Sequence, residues 1–146
     1  MQFQPLVLIN ITLAFIALFL YFRGSYCFYI NKSSFLWYLG GAIFLDILAA
    51  ILGSFKITPT TIIQGSDFVP WNSTLFILHV TFASFGFFGF ILLFIYVLVK
   101  GTKLSYPRLR KFQFQILLPA WLFGESIALV NSLLKIFLQI RIYDYF

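Results

Sequence analysis

Charge is scarce in this sequence. Charged residues make up 10% of 146, where a soluble domain carries about 25%. Only four are acidic: Asp46, Asp67, Glu125 and Asp144. A single cysteine, Cys27, excludes an internal disulfide and a Cys-x-x-Cys pair for metal or redox chemistry. A single histidine, His79, excludes bis-histidine haem ligation within one copy and any zinc motif. There is no glycine-rich phosphate loop and no nucleophile elbow. The first residues, Met1-Gln2-Phe3-Gln4-Pro5, hold no basic side chain ahead of the apolar run, and no small-residue cleavage site follows. That run is therefore read as a helix of the mature protein rather than a secretory signal.

Apolar side chains dominate what remains. The chain is 62% hydrophobic and 22% aromatic, with 21 Phe. Such a chain cannot cover its own surface in water, but lipid solvates it well. The expected fold is all-α: an integral membrane four-helix bundle of two tandem transmembrane hairpins, forming one domain over 1–146. The apolar runs predict helices over about 5–22, 35–53, 75–99 and 112–134. Arg23-Gly24 is read as the end of the first. Ser33 or Ser34 is a candidate cap for the second, and Asn72, Ser73 or Thr74 for the third. Pro119 should distort the fourth in the turn before it. The connection 54–74 holds Lys56, Pro59, Gly65, Asp67 and Pro70, which stop a helix, and Trp71, an interfacial anchor.

Five of the ten Lys and Arg residues, Lys100, Lys103, Arg108, Arg110 and Lys111, fall in one connection between apolar runs. This basic loop reads as a topology signal, with contact to anionic lipid or a partner subunit as the alternative. Nucleic acid is not expected. Counting Arg23 and Lys32 with it, seven basic residues lie on one side, against Lys56, Lys135 and Arg141 on the other. The expectation is a multi-pass protein of the cell membrane with both termini outside and the basic loop in the cytoplasm.

The two halves resemble each other. Arg23-Gly24 and Lys100-Gly101 each precede a tryptophan-glycine segment, Trp37-Tyr38-Leu39-Gly40-Gly41 or Trp121-Leu122-Phe123-Gly124, and then an acid, Asp46 or Glu125. A tandem pair of hairpins gives this pattern. So do shared basic ends and glycines in any two hairpins.

Three ionisable residues fall within apolar runs: Asp46, His79 and Glu125. Each is costly in lipid and should face inward. With Asn131 they form a candidate intramembrane polar cluster in the outer half of the bundle. Three functional readings compete with plain interhelical hydrogen bonding. The cluster relays protons, contacts a quinone head, or ligates a metal or haem iron through His79. No cofactor is the primary expectation, and haem or quinone is the alternative. Gly40-Gly41, Ala49-Ala50, Gly86 and Gly89 suit close helix approach. Asn10, Asn31 and Asn72 each begin an N-glycosylation pattern, but only Asn72 falls outside on this topology.

The stretch from Leu78-His79 through Lys100-Gly101 and Arg108-Leu109-Arg110-Lys111 to Leu118-Pro119-Ala120-Trp121-Leu122 resembles the YozB-like family, small prokaryotic membrane proteins of unknown function. A weaker likeness covers Pro5 to Phe55, including Asn10. Members of that family carry further histidines near the end of the second helix and in the basic connections. Ser54-Phe55 and Phe112-Gln113 stand there instead. The resemblance implies an accessory role beside respiratory oxidase and cytochrome components. The expected function is a non-catalytic accessory subunit or assembly factor of a respiratory electron-transfer complex, packed against its larger membrane subunits. The alternatives are a haem- or quinone-binding redox protein and a small proton-conducting or transport element.

Overall fold

The computed structural model describes residues 5–54, 73–101, 106–138 and 142, and the side chains of most of them. Lys56, Trp71, Asn72, Lys103 and Arg141, and the side chains of Asn10 and Lys135, lie outside the described residues. The regular elements are helices: α1 (Pro5–Tyr29), α2 (Phe35–Ser54), α3 (Thr74–Lys100), α4 (Pro107–Phe112) and α5 (Leu118–Phe137), with a π turn (Gln113–Leu117) joining the last two into one rod. Ile11–Tyr29, Thr74–Lys100 and Pro107–Leu134 are long and apolar enough to cross a membrane. α2 is 20 residues long, about 30 Å at the helical rise, and its apolar stretch covers Phe35–Ile51.

α1 runs seven residues past its expected end at Phe22. Gly24 does not stop it, because a Cβ there would lie 3.1 Å from the Leu39 nitrogen and 3.2 Å from the Tyr38 Cβ. Its smallness serves the contact with α2. The stop comes at Asn31, whose φ is 62°. The Lys32 N–H donates to the Cys27 carbonyl at 2.8 Å and the Asn31 N–H to the Phe28 carbonyl at 3.1 Å. This is the paired closure of a left-handed helix cap. Ser73 caps α3, its Oγ accepting from the Phe76 N–H at 3.3 Å.

The last rod begins at Pro107 rather than Phe112, so Arg108–Lys111 are helical. Proline at the first helical position loses no hydrogen bond. The distortion expected ahead of Pro119 takes the form of the π turn, in which the Leu118 N–H reaches back to Gln113. The rod ends at Phe137, three residues beyond the expected Leu134.

Helix α1 packs mainly on α2 and α3 mainly on α5, with smaller α1–α5 and α2–α3 contacts. Tyr21, Leu39, Ala42, Phe90, Leu93, Val97, Leu117 and Trp121 form the centre of the core. The two tryptophans that suggested a repeat have opposite fates: Trp121 is 1% exposed and Trp37 is 85% exposed.

The closest approach is between α3 and α5. A Cβ on Gly86 would stand 2.8 Å from the Trp121 Cα and 2.9 Å from its nitrogen, and one on Gly124 would stand 2.8 Å from the Ala83 Cα. These obstacles are backbone and cannot swing aside. At Gly40 the nearest atom is the tip of the Phe94 ring at 3.2 Å, which can. Gly86→Ala and Gly124→Ala should each cost about 2 kcal/mol or more, and Gly40→Ala less than about 1. Denaturant unfolding in detergent measures this, and equal losses at all three sites would contradict the packing.

Candidate functional site

Buried stripes of the helices carry the acids inward. On α2, Leu39 and Ala42 are buried at three-residue spacing, and Asp46 continues that stripe one turn on. On α5, Trp121 is buried and Glu125 follows it by four residues. α1 contributes Tyr21, which is fully buried. Its ring lies 4.2 Å from that of Trp121 and 4.7 Å from that of Phe90, centroid to centroid.

These elements bring four polar groups together. The Tyr21 hydroxyl and the Trp121 indole N–H both lie beside the Asp46 carboxyl, and Glu125 is close enough to interact with it through space. Neither Tyr21 Oη nor Trp121 Nε1 completes a hydrogen bond of normal geometry.

His79 is directed at the backbone of α5. Its Nδ1 lies 2.9 Å from the Gly124 carbonyl, which can only accept, so Nδ1 carries the proton. His79 therefore adjoins the acid pair through the residue before Glu125. Asn131 is not drawn into the group. Its side-chain oxygen accepts from the Ile142 N–H at 3.1 Å, tying the C-terminal segment back to α5. Six residues past Glu125 on a helix, Asn131 faces well away from it.

Of the basic loop, Lys100, Arg108 and Lys111 are exposed. Arg110 turns inward: its guanidinium donates to the Asn31 side chain and stands 5.9 Å from the centre of the Phe28 ring. Asn31 thus belongs to the turn after α1, where it both shapes the backbone and holds Arg110. The Tyr106 hydroxyl donates to the Gly101 carbonyl at 2.9 Å and folds the connection onto the end of α3.

Among the described residues no three His, Cys, Asp or Glu side chains are grouped to hold a metal. No family model, curated protein or solved structure matches this chain. The group's own chemistry suits two tasks: holding helices together by hydrogen bonds, or holding and passing a proton between carboxyls and a phenol. Tyr21 is a residue that sequence reasoning missed. Trp121 was singled out for the repeat and the family likeness but not for the polar cluster, although its spacing four residues before Glu125 placed both on one face.

If Tyr21 and Asp46 are in contact, removing both should cost less than the sum of removing each. A double-mutant cycle of Tyr21→Phe and Asp46→Asn, read by unfolding in detergent, should give a coupling of about 0.5–1.7 kcal/mol. Strict additivity would separate the two groups.

Proposed function

We propose that this chain is a four-helix protein of the cell membrane, two tandem hairpins with both termini outside. It serves as a non-catalytic accessory subunit or assembly factor of a respiratory electron-transfer complex. The observation that carries the association reading is the outward face. Phe19 on α1 is 62% exposed, Phe44 on α2 65% and Phe88 on α3 60%. These are flat, stiff groups well suited to pack against lipid or the helices of a larger subunit. The respiratory assignment rests on the likeness of the segment around His79, the basic loop and Trp121 to the YozB-like family. Extraction in mild detergent through an affinity tag should bring down subunits of a cytochrome or oxidase complex in fixed ratio. A chain that elutes alone from every mild detergent overturns the reading.

The Asp46–Glu125 pair favours a second reading, a small proton-conducting element. Parent protein in proteoliposomes should carry protons down an imposed gradient, and Asp46→Asn and Glu125→Gln should not. Conduction by both variants at the parent rate would remove the acids from any relay. Haem ligation through His79 is a redox version of this site, and a Soret band in the purified protein is its signature.

A further inference from the structure

Buried polar atoms in folded proteins nearly always find a partner, and each exception calls for an explanation. Five side chains here keep a buried polar atom with no hydrogen bond among the described residues: Tyr21 Oη, Ser25 Oγ, Arg110 Nε, Trp121 Nε1 and both amide atoms of Gln113. They are aligned rather than scattered. Tyr21, Ser25 and Phe28 occupy successive turns on one face of α1 and are 0%, 1% and 3% exposed. Arg110, Gln113, Leu117 and Trp121 follow one another along the rod that packs on α1, and Gln113 is 0% exposed.

Two contacts fix the register between these lines. Trp121 lies against Tyr21 at one level, and Arg110 stands over Phe28 at the other. Ser25 and Gln113 fall between those levels. The π turn starts at Gln113, and such turns recur where a helix must re-aim a functional side chain. At the basic end, Asn31, Ser33, Tyr106 and Arg110 bound a cavity of about 10 Å³, the space of about one water molecule.

We propose that this column is the proton entry route to Asp46 from the basic end of the molecule, with water as its ligand, ordered by Gln113 and Ser25. The proposal rests on the second reading above. The transfer is a proton hop and no electron moves. The Tyr21 O–H proton passes to the Asp46 carboxylate while Tyr21 Oη takes a proton from the neighbouring water, which is reprotonated from the basic side. The Gln113 amide and Ser25 hydroxyl each donate and accept, so they orient water without themselves changing charge.

The test is proton flux into proteoliposomes loaded with a pH-sensitive dye, driven by a potassium diffusion potential. It compares the parent with Asp46→Asn, Gln113→Met and Ser25→Ala. Gln113→Met keeps the side-chain length and removes only the polar atoms. It should lower flux about tenfold or more, with Gln113→Asn restoring part of it and Ser25→Ala giving a smaller loss. Melting in detergent checks that each variant is folded. For any variant that is not, hydrogen–deuterium exchange of the carboxyl infrared band in the parent reports access independently. The band should exchange within the mixing time if the column is wet, and exchange over hours would overturn the route. Parent-level flux in Gln113→Met, with Asp46→Asn silent, overturns the column and leaves the acid pair as a relay. A parent no better than empty vesicles overturns both.

Discussion

α3 meets α5 backbone to backbone because Gly86 and Gly124 present no side chain where Trp121 and Ala83 approach. In lipid there is no hydrophobic force between helices, so contact of this closeness is what holds a pair together. Much else follows from it. Trp121, displaced from the α3 side, lies against Tyr21 of α1. His79 comes within hydrogen-bonding distance of the Gly124 carbonyl. Glu125, one residue further, comes within electrostatic range of Asp46 on α2. A Cβ at Gly86 or Gly124 would push the helices apart and carry all three contacts with it.

The second constraint is the distortion of the last rod. Pro119 lacks an N–H and crowds the carbonyl four residues before it. The π turn at Gln113–Leu117 supplies an extra residue just there. Its consequence is rotational: residues before it are turned relative to those after, which brings Gln113 round toward the face of Trp121. An unbroken α-helix would set residues 110 and 121 about 20° apart on its surface but would leave Gln113 on a flank.

The helical class and the approximate place of every apolar helix were legible from composition and run length, because lipid allows few alternatives to a helix. Helix ends were less so. Gly24 looked like a stop and is a packing contact, since sequence does not show which backbone lies opposite a glycine. Asn31 stood out only as a pattern match on the wrong side for glycosylation and is the actual stop, which its positive φ reveals. Asp46, His79 and Glu125 could be singled out because charge in an apolar run is conspicuous. Tyr21, Ser25 and Gln113 could not, because uncharged polar residues are ordinary there and their burial depends on the register between helices. Asn131 was grouped with the acids by depth alone, and depth does not say which way a helix is turned.

The molecule supplies its own comparison for what a purely structural polar contact looks like. His79 on the Gly124 carbonyl and Asn131 on the Ile142 N–H each join two segments through a completed hydrogen bond. Were the central group there only to fix packing, it should be completed in the same way, because an unpaired buried polar atom costs about 1–3 kcal/mol and stabilises nothing. Instead Ser25 and Gln113 are fully buried with unmet capacity, and Tyr21 and Trp121, beside Asp46, fall short of normal hydrogen-bond geometry. Apolar residues of the same size would pack there at lower cost. Their unmet donors and acceptors are what an ordered water chain requires and what a static bundle would be expected to lose.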